Sequence, residues 1–276
     1  MLGGRARESN GRTMRSRLLG ERLRLLSGLI AAGLAPLSAA AITAHRGADG
    51  VTFALEGAVL RLQVWSDRII RVTCAPGDAL PEDKSFCVIA KSAPVEWDFR
   101  ETPAGFLVTT AAVQARVDRQ SGAVSFSDAT GAPWLAETPG GRVFLPTPVR
   151  NLDARQAEQD FALGPNEAIF GLGQQASGSW NYRGQTVRLL QSNMNIALPV
   201  LVSSRGYGIL WDNPAITTVA VGATGRENVV AWTSEVARAI DYYFLAGPDL
   251  DQVVFGYRKL TGAAPTSSNG VGSSRK

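Results

Sequence analysis

The 276-residue chain is 45% apolar and 19% charged, which gives enough apolar material for one large domain or two small ones and argues against a disordered chain. Its formal charge of +4 comes from the first 24 residues, where seven arginines face only Glu8 and Glu21; beyond them 21 basic side chains meet 22 acidic ones. No basic stripe is left for nucleic acid, and the single histidine, His45, excludes histidine triads, histidine zinc sites and a histidine–glutamate proton shuttle from the folded body.

The chain opens with those arginines, followed by the uncharged run LLSGLIAAGLAPLSAAA, Leu25 to Ala41. A positive flank, an apolar centre and small residues at the exit are the parts of a secretory signal. Ser38 with Ala40, or Ala39 with Ala41, forms the pair before cleavage, and Met14 offers a second start that keeps the positive region complete. The expectation is therefore a signal peptide over 1–41, export by the general route to the periplasm or medium, and no membrane span after cleavage. The competing reading of the same run is a membrane anchor, which Pro36 and the alanines disfavour.

From Val51 onward the texture is short and alternating. In AVLRLQVWSDRIIRVTC, apolar positions on both sides of Ser66-Asp67 predict two antiparallel strands joined by a turn. The pattern recurs from Gly105 to Glu137, with turn signals at Gln120-Ser121-Gly122 and Ala129-Thr130-Gly131, and continues in YGILWDN, AITTVAVG, VVAWTS and AIDYYFLAGP. Many short strands with evenly spaced turns predict an all-β antiparallel sandwich or barrel. Cys74 and Cys87 allow either one disulfide or two buried thiols in neighbouring strands.

One helix is predicted, and it comes last. Leu250, Val253, Val254, Tyr257 and Leu260 recur at helical intervals, Asp249 is placed to cap the start, and Gly262 to end it. The remaining residues, 263–276, are rich in serine and glycine and read as a disordered tail.

The stretch FGLGQQASGSWNYRG, Phe170 to Gly184, has glycines spaced like a phosphate loop. A dinucleotide site needs a helix to follow, and TVRLLQ is no such helix. Two readings remain. One is an ordinary glycine-rich connection between strands. The other is one wall of a site for an uncharged ligand, since Gln174, Trp180, Asn181, Gln191 and Asn193 combine amides that pair with hydroxyls and an aromatic face for a sugar ring.

Taken together, FGLGQ, NYRG, LLQSNMN, LPVLVSSRGYGILWDN and DYYFLAGPDLDQVVFGYRKLTG resemble the amino-terminal, galactose mutarotase-like β-sandwich of glycoside hydrolase family 31, the family of α-glucosidases and α-xylosidases. SDRIIRV, DKSF and VDRQSGAVSFSDATG stand upstream in the same order, so the resemblance runs from about Val51 to Gly262, inside a domain bounded at 42–262. Within the family the wording is similar to the α-xylosidase branch. Asn193 stands where the maltase branch has an aspartate, which removes a charged contact to substrate.

The resemblance implies an α-xylosyl or α-glucosyl oligosaccharide as ligand, with Gln174, Trp180, Asn181, Gln191 and Asn193 facing it. It implies neither cofactor nor metal. Such enzymes retain configuration with two carboxylates about 5 Å apart, both carried by a barrel that follows the sandwich. No residue of this chain matches those motifs, and the sequence turns away from the family after Leu260-Thr-Gly, so the expectation is a chain truncated before the barrel and inactive alone, with a separately encoded barrel as a candidate partner. Asp212 in LWDNP reads as a turn former rather than an acid. The alternatives are a stand-alone sugar-binding module, a purely structural brace, and, last, an epimerase that the histidine count disfavours.

Overall fold

A computed structural model of the chain describes residues 42–262 apart from 83, 150 and 151. The expected signal over 1–41 and the expected tail over 263–276 lie outside the described residues.

Alternating sequence becomes strand after strand. The first are β1 (Thr43–Arg46), β2 (Gly50–Leu55), β3 (Ala58–Ser66) and β4 (Ile69–Pro76). Next come β5 (Asp98–Thr102), β6 (Gly105–Thr109), β7 (Val113–Asp118) and β8 (Val124–Asp128), a meander leading into the long strands β9 (Pro133–Val149) and β10 (Leu152–Ala162). Then follow β11 (Ile169–Gln174), β12 (Gln185–Leu189), β13 (Ile196–Ser203) and β14 (Tyr207–Trp211). The last strands are β15 (Thr217–Val221), β16 (Val229–Ala237) and β17 (Ile240–Ala246), ahead of the helix α1 (Leu250–Thr261).

The strands form two antiparallel sheets, ordered β1-β2-β3-β4-β17-β14-β13-β11 and β12-β15-β16-β10-β9-β8-β7-β6-β5. This is an all-β sandwich with one carboxy-terminal helix: the alternation leaves sandwich or barrel open, and the family resemblance implies the sandwich. The turn residues act as their chemistry requires. Asp118 Oδ1 accepts the N–H groups of Gln120 and Ser121, and Asp128 Oδ1 accepts those of Thr130 and Ala132.

Both sheets contribute to one core. Trp211 of β14 meets Trp232 of β16 with ring centroids 5.4 Å apart, and its indole N–H donates to Ser234 Oγ at 3.0 Å. Phe126 of β8 stacks on Phe244 of β17 at 4.0 Å. Each fully buried ring of this kind contributes about 1.5–3 kcal/mol through burial. The buried carboxylate of Glu137 is fully partnered: it accepts from Tyr242 (2.9 Å), the Val124 N–H (2.8 Å) and Arg142 (2.5 Å).

Both cysteines are free thiols. Cys74 sits in β4 within the main core, whereas Cys87 lies on the connection after β4 and packs against a smaller cluster that includes Tyr243, Val253 and Leu260. The pair is not bonded, and only Cys74 matches the picture of a buried thiol on a strand.

The helix α1 starts where Asp249 Oδ1 accepts the Gln252 N–H at 2.8 Å and ends at Gly262, whose φ is 90°. It buries Val253 and Leu260 against Ile69, Val200, Leu210, Tyr243 and Leu245. Gly208 in β14 makes room, since a Cβ there would lie 2.6 Å from Val253 Cγ1. Leu250, Val254 and Phe255 remain 43–53% exposed, so part of the helix's apolar surface has no cover among the described residues.

Candidate functional site

Gly171, Leu172 and Gly173 of β11 take φ values of 96°, 58° and 84° in succession, and the pairing with β13 shifts register between the two glycines. This bulge sends Leu172 fully into the core. A Cβ on Gly171 would lie 2.4 Å from the Val200 carbonyl oxygen, and one on Gly173 would lie 1.9 Å from that of Ile196. The glycines thus admit the neighbouring strand. A loop and then β12 follow them, so the arrangement that presents a helix N-terminus to phosphate does not occur here.

The bulge fixes the end of β11, where Gln174 pairs with Ile196. A tight turn between β12 and β13 folds back beside it, closed by the pairing of Ser192 with Asn195. Asn195 braces this turn, its Oδ1 accepting the Ala176 N–H (2.9 Å) and its Nδ2 donating to Ser192 Oγ (3.3 Å). Gln191 Oε1 accepts the Ala197 N–H at 3.2 Å. Gln174, Gln191 and Asn193 therefore share one end of the sheet, all exposed to solvent. Met194 between the asparagines is 80% exposed at a φ of 68°, a strained backbone that the sequence alone did not single out.

Asn181 is placed differently. Its Oδ1 accepts the N–H groups of Ile169 and Arg183, both at 3.1 Å, which ties it to the start of β11, a strand length or roughly 15 Å from Gln174. Trp180 beside it is 88% exposed. The five sequence-selected residues form two groups, the amide cluster of Gln174, Gln191 and Asn193, and the pair Trp180–Asn181.

Two polar anchors hold these loops. Glu167, ahead of β11, accepts from Tyr207 (2.6 Å), from Ser203 Oγ and from the Gly164 N–H (2.8 Å), with Arg205 3.8 Å away. Burial and the Glu167 charge push the Tyr207 phenol well above its ordinary range. Arg183 donates to the carbonyls of Gly164 (2.7 Å) and Glu167 (3.2 Å). With its lone pairs so occupied, Glu167 is a structural acceptor.

A groove adjoins the amide cluster. Two depressions of about 270 and 390 Å³ share Phe86, Asp212, Asn213 and Pro214; the smaller reaches Gln191 and the larger Arg71 and Asp241. Asp212 Oδ1 accepts from Ser85 Oγ (2.8 Å) and the Cys87 thiol (3.4 Å). Arg71 grips Asp241 with two bonds, at 2.9 and 2.5 Å. Asp212 therefore does more than form a turn, and nothing in the spacing of DKSF and LWDN signalled that Ser85 and Asp212 meet. Among the described residues no group of histidine, cysteine and carboxylate side chains is arranged to hold a metal ion, and no helix is long and apolar enough to cross a membrane.

Comparison with known proteins adds identity to this geometry. The family model described as "Glycosyl hydrolase 31 N-terminal galactose mutarotase-like domain" matches residues 59–219, more than half of the chain. An α-xylosidase of Saccharolobus solfataricus is 40% identical over 123 residues, covering 41% of this chain and 16% of the relative. Two solved structures superpose on the fold. A GH31 α-xylosidase from a soil metagenome, complexed with xylose, gives a TM-score of 0.72 at 24% identity, over 81% of this chain and 35% of that one. The GH31 α-xylosidase of Xanthomonas citri gives 0.73 at 23%, over 80% and 40%. The chain thus corresponds to a minor part of each of these proteins.

Proposed function

Because the chain belongs to the family of glycosyl hydrolase 31 N-terminal galactose mutarotase-like domains, we propose that it is the sugar-facing sandwich of an exported α-xylosidase or α-glucosidase system, binding an α-xylosyl or α-glucosyl oligosaccharide without cleaving it. The observation that carries this reading is the amide cluster: Gln191 and Asn193 stand exposed at a turn that Asn195 and Ala197 hold in place, beside the exposed Gln174 at the end of β11. Neutral amides on a braced turn offer both donors and acceptors to sugar hydroxyls at little ordering cost. Trp180, exposed beside Asn181 near the start of β11, stands apart from this cluster and lies outside its contact surface.

Retaining hydrolysis needs a nucleophile and a general acid/base. The buried carboxylates Glu137 and Glu167 are engaged by tyrosine, serine and backbone donors, so the proposal places the reacting pair on a barrel domain, whether on the same polypeptide or encoded separately. The exposed flank of α1, Leu250, Val254 and Phe255, is the surface such a domain would cover.

Calorimetric titration of the full chain with an α-xylosyl-glucose disaccharide and with maltotriose tests the binding. Saturable heat is expected with at least one of them, weakened about tenfold or more by the double change Gln191→Ala, Asn193→Ala, as for the loss of one or two hydrogen bonds. No heat overturns the reading in favour of a purely structural brace, and heat that survives the double change overturns the amide cluster as the binding surface. An assay with p-nitrophenyl α-xyloside should show no turnover by this chain.

A further inference from the structure

We propose that the groove between the segment carrying Ser85 and Phe86 and the strand ends at Asp212 and Asp241 is a second saccharide subsite, one that takes further rings of the oligosaccharide held at the amide cluster. The inference rests on the proposed function for the class of ligand and adds where the rest of that ligand lies.

Three observations support it. The first is continuity: the smaller depression is bordered by Gln191 at one end and by Phe86, Asp212 and Asn213 at the other, and the larger continues from those three. Their volumes, about 270 and 390 Å³, are near the lower limit of small-molecule sites, which run from about 300 to 1,000 Å³.

The second is the aromatic face. Phe86 is 87% exposed, and covering its ring would be favourable. The apolar face of a pyranose is a suitable cover for a solvent-facing ring, and it leaves the sugar hydroxyls pointing to the polar rim.

The third is an unmet acceptor. Asp212 Oδ1 takes both protein donors, Ser85 and Cys87, while Oδ2 is buried with no donor among the described residues. A buried carboxylate oxygen without a donor is costly, and Asp212 lines both depressions, which places this carboxylate at the wall where a sugar hydroxyl would sit. The groove mixes both signs, with Arg71, Lys84 and Arg238 beside Asp212 and Asp241, and Arg71 is paired with Asp241, which suits a ligand that carries hydroxyls rather than a strong charge of its own.

The experiment is a titration of the full, nitrogen-15-labelled chain with maltotriose and with the α-xylosyl-glucose disaccharide, following backbone amide shifts. Shifts at Phe86, Asn213 and Ala239 as well as at Gln174 and Gln191–Asn195 are expected. Phe86→Ala or Asp212→Asn should weaken trisaccharide binding about tenfold and leave methyl α-xyloside binding unchanged. Shifts confined to Gln174 and 191–195 overturn the subsite and keep the proposed function. Shifts confined to the groove support the subsite and overturn the amide cluster as the primary contact. No shifts in either region overturn both.

Discussion

Tyr207 donates its phenol to Glu167 across 2.6 Å, joining β14 to the residue that precedes β11. Ser203 and the Gly164 N–H complete the same carboxylate, which is almost wholly buried. This contact holds β11, β13 and β14 in register at the end of the sheet opposite Gln174. Tyr207→Phe removes one donor and leaves a charged acceptor short, so a loss of at least about 1–3 kcal/mol is expected. Urea unfolding with an unchanged slope would check it. An unchanged midpoint would mean that Ser203 and the Gly164 amide suffice.

Gly173→Ala is expected to be more damaging than most glycine changes. The residue has a φ of 84° and its new Cβ would meet the Ile196 oxygen at 1.9 Å, a backbone atom that cannot rotate away. The outcome should be separation of β11 from β13 near Gln174, with a loss of more than about 1–3 kcal/mol from overpacking and strain. Sugar binding should fall with stability if the amide cluster depends on the bulge. Gly178→Ala, in open space though also at positive φ, is the control and should cost less.

How much of this was legible in the sequence depends on the range over which each feature is decided. The caps at Asp249 and Gly262 and the turns at Asp118 and Asp128 are local chemistry, and the sequence displayed them. Alternation in β3 and β4 likewise announced antiparallel strands of a sandwich or barrel. The motif FGLGQ showed its glycines but not their purpose, because the carbonyls that require them belong to Val200 and Ile196, more than twenty positions later. Asn181 carried the right chemistry for a sugar contact, yet its oxygen serves the backbone amides of Arg183 in its own loop and of Ile169 at the start of β11. The meeting of Ser85 with Asp212 spans 127 positions and follows only from sheet order.

The helix α1 should be the least protected regular element. Only Val253 and Leu260 are buried, while Leu250, Val254 and Phe255 face solvent. Hydrogen exchange of its amides is expected to run ahead of exchange in β14 and β17, on which it packs. Asp249→Ala removes the cap to Gln252 and should cost about 1 kcal/mol, speeding exchange in the first turn most. Protection through α1 equal to that of β17 would show that the outer cluster alone holds it.

Alkaline titration tests the buried acids of the core together. Burial, and then the charge of Glu167, pushes Tyr207 well up; burial with Glu137 does the same to Tyr242, and burial raises Tyr243 despite the nearby Arg71. Burial and the charge of Asp212 push the Cys87 thiol up to about 11. Each of these groups holds its proton more tightly in the folded chain than in the unfolded one. Their contribution to stability is therefore complete below the unfolded values, about 8.5 for cysteine and about 10 for tyrosine, and is lost as pH rises through the folded ones. The urea midpoint should fall first above about pH 8.5–9, as Cys87 and the buried Cys74, which burial also pushes up, lose their share, and more steeply above about pH 10. Tyr207→Phe should flatten the second part of that fall without moving the first. The ultraviolet absorbance of tyrosinate from the three buried rings should emerge together with unfolding. Ionisation of all three near pH 10 in a chain that keeps its folded circular dichroism would contradict their burial.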